Sequence, residues 1–213
     1  MNVKELGINE IRVEYHPRKG FGGNEELNNL IQKNGLTDPI RVRPKGDHFV
    51  LIEGKRRLLV IRDLGWETVP CIIQDVDEKT AAHLSYLYNS ADCRLNLNPI
   101  EVSLHIKEMR ERFGYSILDL VGLGYAKDDQ TLYNKLSLLT LPQEIQDKIA
   151  EGKLSPTVGY KFARDYARTE DRETLKTSFE DLLTSNDLTV MKYDKWTRDR
   201  IIREKDGGRK STR

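Results

Sequence analysis

The stretch HFVLIEGKRRLLVIRDLGWETVP, His48 to Pro70, constrains the fold more than any other part of the chain. The apolar run HFVLIE suits a strand. KRRLLVIRDLG has helical spacing and closes at Gly65, and VPCIIQDV suits a second, buried strand. A strand that passes into a helix at a glycine leaves the helix's first N–H groups without intrahelical acceptors, at the positive end of the macrodipole. Lys55, Arg56 and Arg57 stack three further positive charges there. They either hold an anion such as a phosphate or form a solvated face paired with Glu53 or Asp63. GKRR is not a P-loop, and such a triplet in isolation favours the solvated face.

The flanking sequence builds a mixed α/β section up to about Val76. INEIRV has strand character, and EELNNLIQKNG spaces Leu27, Leu30 and Ile31 on one helical face before Gly35, a natural C-terminal glycine. DPIRVRP alternates Ile40 and Val42 with Arg41 and Arg43, the pattern of a half-buried strand. Beyond Glu78 the strand signals stop. NPIEVSLHIKEMRERFG places Val102, Ile106, Met109 and Phe113 on one helical face. SILDLVG and DDQTLYNKLSLL, separated by Gly122 and Gly124, suggest a helix-turn-helix. PQEIQDKIAEG and SPTVGYKFARD each place a proline near a helix start, with Ser155 as N-cap of the second. Further helices are expected at Arg172 to Leu183 and Leu188 to Glu204, followed by a disordered DGGRKSTR.

Composition excludes several classes. Of 213 residues, 38% are hydrophobic and 32% charged, and no apolar run approaches the roughly 18 residues of a membrane span. MNVKELGINEI lacks the pattern of a signal peptide, so the expected location is cytoplasmic. Cys71 and Cys93 lie far apart without metal-ligand spacing, so neither a zinc site nor a disulfide framework is expected, and no metal-ligating residues are assigned. The net charge is only +1, but Met191 to Arg213 holds nine Lys/Arg against four Asp/Glu, a basic end able to touch phosphate.

EYHPRKGF, NLIQKNGLTDPIRVRP, LIEGKRRLLVIRDLGWETVP and CRLNLNPIEVS occur in an order and at spacings that resemble the N-terminal domain of the ParB family of chromosome and plasmid partition proteins. DQTLYNKLSLLTLPQEIQDKIAEGKLSPTVGYKFARD resembles that family's central DNA-binding region. The matches run from about Ile8 to Asp165. The resemblance implies a CTP-binding fold in which Gly54, Lys55, Arg56 and Arg57 contact phosphates, with Gly35, Pro39 and Ile40 of GLTDPI lining the nucleoside side and Arg18 and Arg94 nearby. Position 55 departs from the family's usual GERR, adding a positive charge compatible with anion binding. The family's Glu-Asn pair, which serves magnesium and triphosphate, falls on Ser90 and Ala91, and Ala91 offers no side-chain oxygen to Mg2+. Nucleotide binding without efficient CTP hydrolysis is therefore expected. Sulfiredoxins share the fold superfamily but carry a cysteine in the turn, which Gly54-Lys55-Arg56-Arg57 lacks. Glu53 fits the related small-molecule kinases, but the attached helix-turn-helix does not.

In the helix from about Asp129 to Leu139, Leu132, Leu136 and Leu139 define an inward face. Gln130, Thr131, Asn134 and Lys135 then point to a groove, where Asn and Gln pair with adenine and Lys with guanine or phosphate. Asp128 and Asp129 suit helix caps. Lys127, Lys153, Lys161 and Arg164 are candidate phosphate contacts, which would make binding salt-dependent.

These readings predict an α+β chain. A small mixed-sheet ParB/sulfiredoxin-like domain spans 1–78, an all-α helix-turn-helix domain 79–185, and a basic helix and tail 186–213. The expected protein binds a specific double-stranded DNA site as a homodimer, with CTP regulating clamp formation or spreading. The alternatives are a DNA-binding regulator independent of nucleotide, and a nucleotide hydrolase or nuclease. A ParA-type ATPase is the partner the resemblance implies, although no basic ParA-stimulating peptide precedes the first domain. The chain ends before the family's usual dimerisation domain, unless Leu188 to Glu204 substitutes.

Overall fold

The computed structural model describes residues 3–17, 24–90, 97–183 and 191–200. The chain forms two compact units, Met1–Leu97 with Leu104–Ser116, and Asn98–Ser103 with Ile117–Arg213. The units do not divide at 78/79, because the first helix after the last strand covers a face of the sheet.

In the first unit β1 (Val3–Gly7), β2 (Ile11–Arg12), β3 (Ile40–Lys45), β4 (His48–Glu53) and β5 (Thr68–Ile73) form a mixed sheet in the order β1-β5-β3-β4-β2. The β1–β5 and β3–β4 pairs are antiparallel, and β3–β5 and β2–β4 are parallel. INEIRV is not one strand. A 3-10 turn at Ile8–Glu10 carries the chain from one edge of the sheet to the other, held by the Gly7 N–H donating to Glu10 Oε2 at 2.7 Å.

One face of the sheet buries Ile40, Val42 and Leu51 against Ile31 of α1 (Asn24–Asn34) and Leu58 and Ile61 of α2 (Lys55–Asp63). The alternation in DPIRVRP would leave Arg41 and Arg43 in water, but α3 (Glu78–Ser90) covers them. The Arg41 guanidinium lies 4.9 Å from the centre of the Tyr88 ring, and Arg43 is buried. Hydrophobic alternation reports which residues avoid water, and long cationic stems can pack under a helix as well as extend from a surface.

The passage from β4 into α2 depends on Gly54, whose φ of +103° is unfavourable for residues with a side chain. A Cβ there would stand 2.6 Å from Cγ2 and 3.0 Å from Cβ of Ile40, itself fully buried. Backbone conformation and packing therefore both require glycine.

Helix α4 (Pro99–Glu111) begins in the second unit and continues into the first. Its start is a capping box. Asn98 Oδ1 accepts from the N–H of Glu101 at 2.9 Å, and Glu101 Oε2 accepts from the N–H of Asn98 at 3.1 Å. Within the first unit, His105 is stacked parallel to Tyr86 with ring centres 5.0 Å apart and is hydrogen-bonded through Nδ1 to the Tyr15 hydroxyl. Burial above all, with His83 and His16 nearby, lowers the His105 pKa from 6.5 to about 3.

The second unit holds α5 (Ile117–Gly122), α6 (Asp129–Ser137), α7 (Gln143–Ala150), α8 (Pro156–Arg168), α9 (Arg172–Leu183) and a helix over 191–200, α10. The α-helix of α6 stops at Ser137 and Leu138–Thr140 tightens to 3-10, so Leu138 rather than Leu139 is the fully buried residue. Ser155 caps α8, its Oγ accepting from the Val158 N–H at 3.3 Å. Phe162 stacks on Phe179 at 3.9 Å, and Tyr193 and Trp196 of α10 pack on the Phe179 ring, so α10 completes this core. Among the described residues, no helix is long and apolar enough to cross a membrane.

Gly54→Ala is expected to cost about 2–4 kcal/mol from the strained φ and the clash with Ile40, measured by urea unfolding. His105 is neutral when folded, while an unfolded chain takes up a proton as pH falls through 6.5. Its stabilising contribution is therefore present above pH 6.5 and is lost towards pH 3, at up to about 1.4 kcal/mol per pH unit. His105→Gln is expected to flatten the dependence of stability on pH across that window, and equal slopes would refute the assignment.

Candidate functional site

At the β4–α2 corner the three cations divide their roles. Arg57 reaches back across the turn. Its Nη1 donates to the carbonyl of Asp38 and, at 3.1 Å, to that of Pro39, and lies 2.7 Å from the Asp38 carboxylate. Its Nη2 pairs with Oε1 of Glu53, whose Oε2 is 3.9 Å from Nε of Arg41. Arg57 is thus a clamp joining GLTDPI to the helix start, and it makes the expected pairing with Glu53. Glu53, held between two arginines, is an ion-pair partner.

Lys55 and Arg56 occupy the half-buried first turn of α2, which carries no acidic residue. Cations in a first turn oppose the helix dipole, and the first N–H groups lack intrahelical acceptors, so an anion would relieve both. The structure brings Pro39, Ile40, Gly54 and Arg57 together. Gly35, at φ +71°, ends α1 at the head of the same segment. Arg18, Ala91 and Arg94 lie outside the described residues, as does the side chain of Ser90. Asn89, the nearest amide, donates from Nδ2 to the carbonyl of Ser85 at 2.7 Å. Among the described residues, no group of three or more His, Cys, Asp or Glu is arranged to hold a metal ion.

In the second unit, α5, the turn at Gly122 to Tyr125, and α6 form the helix-turn-helix. Asp128 caps α6, its Oδ1 accepting from the Thr131 N–H at 2.7 Å, and hydrogen bonds from the Thr131 side chain and then from this N–H hold its carboxyl below the usual range. Gln130 Nε2 donates to Asn134 Oδ1 at 3.1 Å, joining two of the predicted groove-facing side chains. Lys135 turns inward. Its Nζ donates to the carbonyl of Tyr125 at 2.7 Å, and burial lowers its pKa. It satisfies a carbonyl of the turn.

The remaining cations differ in how firmly they are held. Lys161 bonds both carboxylate oxygens of Asp194 at 2.6 and 2.7 Å, tying α8 to α10. Lys127 lies 3.7 Å from Asp128 and Lys153 2.7 Å from Glu151, both in exposed pairs, while the exposed Arg164 lies 3.8 Å from Asp165, which is partly buried and accepts from the Tyr193 hydroxyl at 2.6 Å. Exposed pairs of this kind are weak and are readily exchanged for a phosphate. Tyr133, outside the residues that the sequence pattern assigns to the groove, stands outward on α6. Its position one residue from Asn134, off the leucine face, was the available signal.

The ParB N-terminal domain model matches residues 1–90, and the ParB HTH domain model matches residues 95–200. The probable chromosome-partitioning protein ParB of Campylobacter jejuni is 36% identical over 143 residues, 66% of this chain and 50% of that protein. The chromosome-partitioning protein ParB of Myxococcus xanthus is 34% identical over 156 residues, covering 72% and 52%. The nucleoid occlusion protein of Geobacillus sp. is 30% identical over 205 residues, covering 94% and 69%. The chain therefore spans about half the length of the partitioning proteins it matches. A crystal structure of C-terminally truncated ParB from Caulobacter crescentus, complexed to the centromeric parS site, superposes with a TM-score of 0.58 at 23% identity, covering 92% of this chain and 99% of that one. A Pnob8-like ParB-N domain gives 0.57 at 15% identity, covering 96% of each. These two likenesses bear on the fold alone. With both domain models matched in chain order and relatives above 30% identity, the chain belongs to the ParB family.

Proposed function

We propose that this chain is a site-specific DNA-binding protein of partition or related DNA maintenance, whose first unit binds a nucleotide of the CTP type and couples it to dimerisation or spreading. The observation that carries this proposal is the pairing in one chain of an anion-favouring strand-to-helix turn with a helix-turn-helix whose reading helix presents a tied Gln130–Asn134 amide pair. The relatives' names, chromosome-partitioning and nucleoid occlusion protein, support action on chromosomal DNA.

The residues present suit phosphate. Gly54 brings the helix start close to Ile40, and Lys55 and Arg56 supply charge at a helix end that already favours anions. Arg57 serves this site by holding the turn. A nucleotide bound there would contribute negative charge and a means of coupling occupancy to assembly. An Mg2+ ion would draw on oxygen donors from the segment about Ser90 to Arg94, where Ala91 offers none. Binding without efficient turnover is the corresponding expectation. A homodimer clamped on double-stranded DNA and a ParA-type ATPase as partner complete the proposal.

A DNA-binding regulator independent of nucleotide is favoured by one observation, the commitment of Arg57 to protein partners. Calorimetry separates the two. Arg56→Ala is expected to weaken CTP binding at least tenfold, and Arg57→Ala should lose binding together with about 3 kcal/mol of stability. No affinity of the unaltered chain for CTP would refute the nucleotide site. For DNA, selection from a random duplex library is expected to return one preferred sequence, bound with salt-dependent affinity. Lys127→Ala and Lys153→Ala should each reduce the slope of log affinity against log salt by about 1, and Lys161→Ala, whose partner is Asp194, should leave the slope unchanged.

A further inference from the structure

Gln130, Tyr133, Asn134 and Ser137 recur at intervals of three, four and seven residues along α6, so they form one stripe of the helix. The other side of α6 is occupied by Leu132, fully buried, and by Lys135, bonded to the Tyr125 carbonyl. Tyr133 lies within the stripe and is 53% exposed. The groups flanking it are fixed. Asp128 caps the first turn, Gln130 is bonded to Asn134, and Ser137 Oγ donates to the carbonyl of Asn134 at 2.7 Å.

We infer that Tyr133 is a sequence-reading residue of this helix, its ring meeting the C5-methyl group of a thymine next to an adenine held by the Asn134 amide in the major groove of duplex DNA. The inference rests on the DNA-binding reading above and specifies its chemistry. A phosphate contact would call for a cation, and the stripe contains none. An aromatic ring offers chiefly apolar surface, and the thymine methyl is the one apolar feature that base edges display in the major groove. Asn134 keeps both Nδ2 hydrogens and a second lone pair on Oδ1 after accepting from Gln130, enough to donate to adenine N7 and accept from its N6 amino group. The side chain next to Tyr133 thus selects adenine, and Tyr133 selects thymine at a neighbouring pair. Lys135 acts as a positioning residue, holding the turn that precedes the helix.

The test begins with the preferred duplex selected by the whole chain, in which each thymine is then replaced singly by deoxyuridine. Loss of one methyl contact is expected to weaken binding roughly fourfold at one thymine. Tyr133→Ala should bind the thymine and uracil duplexes alike at that position, while keeping its thermal unfolding midpoint and its affinity for unrelated duplex. Tyr133→Phe should retain the discrimination. Tyr133→Ala with an undiminished uracil penalty, or a wild-type chain insensitive to uracil at every position of a selected site, would overturn the role of Tyr133 and leave DNA binding intact. Failure to select any preferred sequence would overturn the DNA-binding reading itself and this role with it.

Discussion

The contact between Gly54 and Ile40 is the constraint on which the first unit depends. It lets β4 end directly beneath the start of α2, so the side chain of the neighbouring strand fills the space a Cβ would occupy. Such close approach concentrates positive charge, because the first turn of α2 is basic and the dipole adds to it. Arg57 relieves part of that charge by turning back to Asp38, Pro39 and Glu53, and in doing so fixes the loop before β3. One cation is thereby used to shape the corner, and the other two, Lys55 and Arg56, add to the positive end of the helix.

The helix-turn-helix follows a similar division. Lys135 leaves the groove-facing side to satisfy a carbonyl of the turn, and Asp128 satisfies an N–H of the first turn of α6. Both are charged residues used for local hydrogen bonding, where a buried unsatisfied backbone group would cost about 1–3 kcal/mol. The acid at the start of α6, Asp128, is explained by this capping role. What remains on the outward stripe is neutral and specific in shape, namely two amides, a phenol ring and a hydroxyl.

Much of this was legible in the sequence because it is written in local rules. The strand–glycine–helix succession from His48, the N-cap at Ser155 and the paired helices around Gly122 and Gly124 all depend on neighbours close in the chain. The surprises depend on distant partners. Arg41 and Arg43 alternate like solvent-facing residues, yet α3, more than thirty residues on, covers them. Lys161 looks like any surface lysine until Asp194 closes on it. The end of α6 was missed for a local reason. The spacing of leucines fits an α-helix to Leu139, and the change to 3-10 at Leu138 alters which leucine points inward without altering the apolar composition.

A net charge of +1 bears on how such a chain would hold DNA. Non-specific affinity rises with the number of phosphates neutralised, and here many cations already have a carboxylate nearby. Exposed pairs such as Lys127–Asp128 are weak enough to open, but each phosphate contact then leaves an acid close to the backbone, which offsets part of the gain. In the proposed DNA complex this limits what these pairs contribute through charge and gives base-edge contacts the larger part in discrimination. A reading helix that places neutral amides and an aromatic ring outward while turning its lysine inward fits that requirement, because its contacts lose value at the wrong sequence, whereas a lysine on phosphate contributes equally at every site.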